Sequence, residues 1–382
     1  MTRRMILNGS SYFGPGAVKV LPDELKKHEF QRILVVTDSG TSKNKVSLKI
    51  AKLLASGKIV YQIFDKVDEN PSIQTVRACV DSAVLFRADC IVAAGGGSVI
   101  DTAKAVSVIL ANPEFRDVRK LEGEAKVQNR AVPLIAVTTT SGSASEATSA
   151  FVITDEDRQR KLVCIDSKSI PMISIVDTEL TSTMPAEIAA NCGAEALSAA
   201  IEGYIAKDSW LMTDMYCLEA VKIIGENLKD AVNGKAAARE LMAYGQYIAG
   251  MGFSNAGLGL VHAMAHSLCA VYDVPHGLAC AVLLSPVLAF NAPSSGTKYR
   301  EIALALGAKI SSKATPAAYR KSCITAVEKL LKEAGLPKKL GITAEKKDIE
   351  FLADTALKDY YAGGSPKEAA KKKLVEIFKS VL

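Results

Sequence analysis

Short apolar runs alternate with amphipathic stretches through the first half of the chain. Ile33–Thr37, for example, is continuously apolar, as in a parallel strand that is buried on both faces. Strands separated by helical stretches are typical of a parallel sheet with helices on both sides. The pattern predicts strands at Met5–Leu7, Ile33–Thr37, Ile59–Phe64, Cys90–Ala94, Leu134–Thr138, Phe151–Ile153, Leu162–Ile165 and Ile173–Val176, and helices at Lys45–Ala55, Ile73–Phe86 and Val99–Leu110.

The pattern changes near Pro185. From there the chain is rich in Ala, Leu, Met and Glu and follows the period of helices to its end. This shift predicts two domains, an α/β domain over residues 1–183 and an all-α domain over residues 184–382.

Composition narrows the class of protein. The hydrophobic content of 49% and charged content of 23% indicate a globular enzyme rather than a disordered chain. The net charge of +6 includes no dense basic block, so we expect no nucleic-acid partner. The sequence has no apolar run of the length expected for a signal peptide or a membrane span, and its eight cysteines lack paired spacing. We therefore expect a cytoplasmic protein with no membrane association.

Three of the four histidines lie within fifteen residues. His262 and His266 are four residues apart, which places them on one face of a helix, and His276 follows Pro275. Buried imidazoles cost free energy unless they have partners. This group favours a metal site or a proton-transfer site, and the alternative is a set of satisfied core histidines.

Two polar loops follow predicted strands in the first half. In the loop Gly95–Ser98 a strand leads into a helix, which Ser98 is expected to cap, and helix amides of this kind bind phosphate. The second loop, Thr138–Glu146, is rich in hydroxyl groups. Asp38 ends the first buried strand, where it can accept a hydrogen bond from a ribose and repel a 2′-phosphate, which favours NAD over NADP. Structural turns are the alternative at all three positions.

Three stretches together resemble the signatures of a known family. They are GGGSVIDTAK (residues 95–104), TTTSGSASEAT (138–148) and GLGLVHAMAHSLCAVYDVPHG (257–277), which are similar to those of the iron-containing, group III alcohol dehydrogenases. The resemblance covers nearly the whole chain. It implies a Rossmann-like α/β domain with a parallel sheet, an all-α domain, NAD, a divalent metal (Fe²⁺ or Zn²⁺), a homodimer and a small alcohol or aldehyde substrate.

The resemblance also implies roles for individual residues. Asp101 would lie beside the nicotinamide, and His266 would lie by the metal as a candidate proton relay. The expected metal ligands are Glu195, His262 and His276. The expected NAD contacts are Asp38, Gly96, Gly97, Ser98, Thr139, Thr140, Ser143 and Lys161.

The chain departs from the family pattern at the metal. Where the family has an Asp and a His four residues apart, this chain has Glu195 and Ala199. Alanine cannot bind a metal, so two histidines and one carboxylate remain, a known ligand set that is expected to bind more weakly here. Cys269 and Cys280 are further candidates for a soft ligand, with buried packing thiols as the alternative.

Three functions therefore stay open. The first is an NAD-dependent, metal-assisted alcohol dehydrogenase. The second is a diverged, metal-free enzyme that uses the histidines as acid and base groups. The third is a catalytically poor family member that binds NAD in a structural or regulatory role.

Overall fold

A computed structural model describes residues 2–40 and 46–382. The chain forms two compact units. Unit 1 comprises Met1–Thr140, Ala144–Arg158 and Leu162–Met184, and unit 2 comprises Ser141–Ser143, Gln159–Lys161 and Pro185–Leu382. Two short segments of the first half thus group with the second half, which a division by composition does not predict. The domain division at residue 183 stays a prediction.

Unit 1 contains a parallel sheet, as the sequence predicts. The strands are β1 (Ser10–Phe13), β2 (Arg32–Asp38), β3 (Val60–Val67), β4 (Cys90–Gly95), β5 (Leu134–Thr138), β6 (Ala150–Asp155), β7 (Arg160–Ile165) and β8 (Ile173–Val176). Six of them form the parallel sheet in the order β1-β8-β5-β4-β2-β3, and all five neighbouring pairs are parallel. The other two, β6 and β7, form a separate two-stranded sheet.

The prediction of a strand at Met5–Leu7 is wrong, because the first strand begins at Ser10. The segment before it is held by a side chain instead of a backbone ladder. The Asn8 amide donates hydrogen bonds to the Pro171 carbonyl and to the Ser174 hydroxyl, at 2.8 and 2.9 Å. Only after this anchor does the backbone pair with β8.

The sheet is buried on both faces. Along β2, Ile33 and Val35 pack into one apolar cluster, whereas Leu34 and Val36 pack into the other. This alternation is what a continuous apolar run gives when helices cover both sides of a sheet. The helices of unit 1 are Leu21–Lys27, Val46–Ser56, Ile73–Phe86, Gly97–Ala111 and Thr178–Thr181. Lys45, the first residue of a predicted helix, lies outside the described residues.

Unit 2 is helical, as the sequence predicts. One apolar stretch, His276–Ser294, is long enough to cross a membrane, but 61% of it is buried inside the protein, as in the core helix of a globular domain. The helices of this unit are Ala186–Ile205, Leu211–Val232, Ala236–Ala256, Leu260–Tyr272, His276–Asn291, Lys298–Ala305, Pro316–Glu333, Lys346–Lys358 and Lys371–Val381.

Candidate active site

The predicted dinucleotide loops of unit 1 meet at the carboxyl edge of the sheet. Asp38 ends β2, Gly95 ends β4 and Thr138 ends β5, and these are neighbouring strands. Gly95 is paired with Thr138, and the Thr139 N–H donates to the Gly95 carbonyl at 3.0 Å. In the sheet β3 lies on one side of β2 and β4 lies on the other, so the strand order reverses between β2 and β4. In open α/β sheets ligands bind at such a reversal.

The glycine loop makes a tight turn, and the residue that caps the following helix does not have a left-handed backbone conformation. A Cβ atom on Gly95 would lie 2.5 Å from Val99 Cγ2, which explains the glycine. The helix cap is Gly96, with φ −81°, and no side chain among the described residues caps this helix. The expectation that Ser98 caps it is wrong, because Ser98 lies in the first turn and its hydroxyl donates to the Glu69 carbonyl. Gly96, the N-cap residue, thus offers the first amides of the helix no side-chain acceptor, which suits phosphate binding.

Asp101 and Lys104 connect the glycine-loop helix to the segment after β5. The Asp101 carboxylate accepts hydrogen bonds from the Ser145 hydroxyl at 2.5 Å and the Val152 N–H at 2.8 Å. The buried Lys104 amine donates to the Thr148 and Ala150 carbonyls at 2.8 and 2.7 Å. Burial lowers the pKa of Lys104 to about 8. These contacts are structural, and the role of Asp101 beside a nicotinamide stays a prediction.

Glu202 fixes the first histidine of unit 2. His262 is buried in the helix Leu260–Tyr272, and its Nδ1 lies 2.7 Å from Glu202 Oε2. The same carboxylate accepts hydrogen bonds from the Val261 N–H and the His262 N–H, at 2.7 and 3.3 Å. It therefore caps the positive end of the helix and leaves the Nε2 atom of His262 for another partner. Gly259 permits this contact, since a Cβ atom there would lie 2.7 Å from Glu202 Oε1.

Asp359 holds the second histidine in the same manner. His266 Nδ1 lies 2.7 Å from Asp359 Oδ2, and both side chains are buried. The other Asp359 oxygen accepts the Tyr361 N–H at 2.9 Å. The ring of Tyr361 packs against His266 with 5.8 Å between centroids. His266 thus has a fixed ring with its Nε2 atom turned away from the carboxylate.

His276 begins the next helix, His276–Asn291, and meets both other rings. Its centroid lies 5.5 Å from that of His262 and 5.3 Å from that of His266. Gly277 brings this helix against the helix Ala186–Ile205, because a Cβ atom on Gly277 would lie 2.1 Å from the Asn191 carbonyl oxygen. The structure therefore brings together the three histidines that the sequence singles out.

Two thiols flank the His276 ring. Cys269 Sγ lies 3.6 Å from Nδ1, and Cys280 Sγ lies 3.6 Å from Nε2. Burial raises the pKa of Cys269 to about 12 and raises that of Cys280 well above its ordinary value. Desolvation holds the pKa of His276 well below its ordinary value, and the neighbouring His266, His262 and Lys161 lower it further. His276 is therefore a neutral imidazole at pH 7, the form that binds metals.

One group of possible metal-ligand atoms is found within residues 2–40 and 46–382. It comprises His262, His276 and Cys280, whose ligand atoms all lie within 4.8 Å of one another. Glu195 is not in this group. Burial is the main cause of the raised pKa of Cys280, and the Glu195 carboxylate raises it further. Ala199, one turn beyond Glu195 on the same helix, is 2% exposed and offers no ligand. Glu195 as a ligand stays a prediction.

The remaining predicted residues divide between the units. Unit 1 holds Asp38, Gly96, Gly97, Ser98, Thr139 and Thr140, whereas unit 2 holds Ser143 and Lys161. Sequence reasoning missed Glu202 and Asp359 as partners of histidines. Glu202 lies seven residues after Glu195, on the same helical face. An acidic residue in an Ala-rich helix could have indicated a buried partner for a histidine. Asp359 lies 93 residues from His266 and has no local signal.

Family models and known relatives match nearly the whole chain. The model of the iron-containing alcohol dehydrogenase family matches residues 8–178, and the C-terminal model of the Fe-containing alcohol dehydrogenase family matches residues 189–382. The chain is 42% identical to lactaldehyde reductase of Escherichia coli (strain K12) over 379 residues, which cover 99% of each chain. It is 38% identical to an NAD-dependent methanol dehydrogenase of Bacillus methanolicus, over 98% of each chain.

Solved structures give the same result. A 1,3-propanediol oxidoreductase matches with a TM-score of 0.94 and 33% identity, over 99% of each chain. An alcohol dehydrogenase from Oenococcus oeni matches with a TM-score of 0.95 and 32% identity, over 100% of each chain. Because the matches in sequence and in fold both extend over nearly its whole length, this chain belongs to the iron-containing alcohol dehydrogenase family of oxidoreductases.

Proposed function

We propose that the protein is an NAD-dependent, metal-assisted oxidoreductase that interconverts a small alcohol and its aldehyde. Lactaldehyde and 1,2-propanediol are the first pair to test, because a lactaldehyde reductase is among its similar relatives. The observation that carries the proposal is the group of three imidazoles, two of which are buried and held by carboxylates at 2.7 Å. Structural core histidines do not need two separate buried acids to orient them.

The residues at the sheet edge of unit 1 fit a dinucleotide. The first amides of the helix Gly97–Ala111 lack a side-chain cap and suit a pyrophosphate. Thr139 and Thr140, both half-buried, add hydroxyl donors beside this helix. Asp38 at the end of β2 would accept from the adenosine ribose, and its charge favours NAD over NADP. Gly96, Gly97, Ser98, Ser143 and Lys161 complete the proposed NAD contacts.

The residues of unit 2 fit a divalent cation. His262 has Nδ1 on Glu202, so Nε2 is its metal-binding atom, and His276 is neutral. These two imidazoles would hold the cation, with Glu195 as a further proposed ligand. Imidazole and carboxylate suit Fe²⁺ or Zn²⁺, and the missing imidazole at Ala199 would weaken the binding of either.

The chain's own groups supply orientation and proton transfer. When bound, NAD supplies the hydride carrier, and the cation supplies Lewis acidity at the substrate oxygen. His266, held through Nδ1 by Asp359, would keep Nε2 available to pass a proton between the substrate oxygen and water. The buried apolar residues Leu260, Val261 and Met264 limit water around the histidines. Asp101 is proposed to lie at the nicotinamide end of the dinucleotide.

A metal-free acid–base site is the second candidate. Two carboxylate–imidazole pairs, Glu202–His262 and Asp359–His266, also suit general acid–base catalysis. NADH oxidation that survives exhaustive chelation with EDTA would favour this candidate, whereas activity lost on chelation and restored by Zn²⁺ or Fe²⁺ would favour the first.

The deciding experiment is elemental analysis of freshly purified protein, followed by NADH oxidation with lactaldehyde and with propanal. We expect bound iron or zinc and turnover that depends on it. NAD binding without turnover of any small aldehyde would contradict the proposal and would favour a structural or regulatory role.

Two further expectations belong with this function. We propose that the protein is a homodimer, which light scattering after size-exclusion chromatography would test. A reducing compartment such as the cytoplasm is supported by all eight cysteines, each within the described residues, being free thiols.

A further inference from the structure

We propose that Cys280 binds the cation as a thiolate and replaces the imidazole ligand that is missing at Ala199. The inference rests on the proposed function, since it assumes that His262 and His276 bind a cation. It changes the chemical class of the site. A thiolate favours borderline-soft ions such as Zn²⁺ and Co²⁺ over hard ions such as Mg²⁺.

The spacing of Cys280 and His276 fits two ligands of one ion. They are four residues apart in the helix His276–Asn291, so they lie on one face about one turn apart. Cys280 Sγ is 3.6 Å from His276 Nε2. In a tetrahedral zinc site with Zn–S of about 2.3 Å and Zn–N of about 2.0 Å, a sulfur and a nitrogen ligand are about 3.5 Å apart.

A third donor from another helix distinguishes this arrangement from a simple hydrogen bond. A thiol–imidazole hydrogen bond needs two groups, but here His262 also converges, and all three ligand atoms lie within 4.8 Å of one another. His262 is oriented by Glu202, which is the outer-shell contact that metal-bound histidines normally make.

Cys269 serves as an internal comparison. Its sulfur contacts Nδ1 of His276, whereas Cys280 contacts Nε2. An imidazole binds a cation through one nitrogen, so an ion held by Nε2 lies on the Cys280 side of the ring. Cys269 then lies behind the ligand, where it orients the ring without binding the ion. Cys269 is also outside the group of three.

The binding step is balanced without a redox partner. The S–H bond of Cys280 breaks, its proton passes to solvent, and a sulfur lone pair forms the bond to the cation. The thiolate supplies one negative charge against the two positive charges of the ion. The imidazoles of His262 and His276 and the proposed Glu195 carboxylate would complete the ligand set, and a fifth coordination position would admit water or substrate.

Cobalt replacement tests the inference directly. The full-length protein is stripped with a chelator and loaded with Co²⁺, and its absorption is recorded with its cobalt content. We expect a thiolate-to-cobalt charge-transfer band in the near ultraviolet. Cys280→Ser should abolish the band and weaken cobalt binding by about 100-fold or more, beyond the 10–100-fold that losing an outer-shell contact costs. Cys269→Ser, the matched control, should keep the band.

X-ray absorption of the zinc-loaded protein gives a second measurement that does not depend on activity. We expect one sulfur neighbour at about 2.3 Å in the wild type, absent from Cys280→Ser and from Cys280→Ala. Circular dichroism of both variants checks that they are folded.

Three results would overturn the inference: stoichiometric cobalt without the band, a band lost in Cys269→Ser but kept in Cys280→Ser, or no cobalt bound at all.

NADH oxidation with lactaldehyde is measured separately on the same samples. Bound cobalt without the band, together with turnover, rejects Cys280 and leaves the proposed function standing. A band in the cobalt-loaded protein, with no turnover of small aldehydes by the iron-loaded or zinc-loaded protein, supports Cys280 and rejects the proposed function.

Discussion

Two buried charged residues, Glu202 and Lys104, have hydrogen-bond partners that compensate for their burial. Glu202 is 2% exposed, yet its carboxylate is satisfied by a helix N-terminus and an imidazole. Lys104 is fully buried and is satisfied by carbonyls and a hydroxyl. Glu202 therefore joins a structural contact to the proposed metal site, whereas the contacts of Lys104 are structural, and substitutions can test each contribution.

Glu202→Gln keeps the shape of the side chain and removes its charge. Because the charged contact with Nδ1 holds His262 and strengthens its basicity, we expect metal affinity and kcat/KM to fall by about 10–100-fold. The loss of the charge at the helix N-terminus should cost about 1 kcal/mol of the free energy of unfolding. Chelator competition and urea denaturation measure the two effects. Glu187→Gln, at an exposed position on the same helix, is the control, and equal affinities in the two variants would contradict the role of Glu202.

Lys104→Met tests the pH dependence of stability. The pKa of Lys104 is about 8 in the folded protein and 10.5 when unfolded. Between these values the unfolded chain binds more protons, so Lys104 makes the wild type more stable as pH rises from 8 to 10.5. Below pH 8 Lys104 is charged in both the folded and the unfolded protein, so the free-energy cost of burying its charge is fully present.

We therefore expect the free energy of unfolding of the wild type, relative to Lys104→Met, to increase over this window. Urea denaturation at pH about 8 and about 10 measures it. Lys66→Met, which removes an exposed lysine from β3, supplies the reference, and a relative stability that falls with pH would reverse the assigned sign.

Ala199→His restores the imidazole that the family pattern has at this position. We expect metal content and activity to rise, with metal affinity increased by about 10-fold or more. The site is buried, so the added volume should cost about 1–3 kcal/mol of stability in the metal-free protein. Elemental analysis and thermal denaturation with EDTA measure both effects. If the native protein already holds stoichiometric metal and the substitution changes neither metal content nor activity, the prediction is wrong and the ligand set is complete without residue 199.

Helices are positioned by glycines at close contacts. Gly277 permits the helix that begins at His276 to lie against the Asn191 carbonyl, and no larger residue fits without movement of the backbone. This contact places the helix of His276 against the helix that carries Glu195 and Glu202, so the candidate site depends on backbone packing as well as on the histidines.

Gly277→Ala should therefore displace the start of this helix. With a Cβ atom only 2.1 Å from a carbonyl oxygen, we expect a loss of about 2 kcal/mol or more in the free energy of unfolding. Weaker metal binding should accompany the loss. Gly363→Ala is the matched control, since its Cβ atom would meet nothing within 4 Å. The two variants are compared by urea denaturation, and similar stabilities would show that the contact at Asn191 relaxes without cost.

For the whole molecule, most of the proposed NAD contacts lie in unit 1, whereas the proposed metal ligands lie in unit 2. NAD should increase the protection of backbone amides from hydrogen exchange in unit 1, at the start of Gly97–Ala111. Zn²⁺ should do so in Leu260–Tyr272 and His276–Asn291 of unit 2, because a ligand stabilises the segments that bind it. Hydrogen exchange with mass spectrometry resolves these peptides. Protection of the histidine helices by NAD alone, with none from Zn²⁺, would contradict the assignment.

The sequence predicted most of this architecture where the signal is local. The parallel sheet follows from continuous apolar runs such as Ile33–Thr37, and the shared helical face of His262 and His266 follows from their spacing of four residues. Interactions between distant residues were missed. Asn8 displaces the first strand to Ser10 through bonds to residues more than 160 positions away, and Asp359 reaches His266 from 93 positions away. The cap at Ser98 failed because a carbonyl 29 residues earlier, on Glu69, takes its hydroxyl.

The pairing of β1 with β8 has a consequence for synthesis on the ribosome. Phe13 pairs with Val176, so 163 residues separate the two partners. At the usual elongation rates of about 5–20 residues per second, the first strand waits roughly 10–30 s for the strand that it must join. During that interval its amides and carbonyls are open to other chains. Newly made protein should therefore aggregate most readily at this stage, before the last parallel strand has emerged.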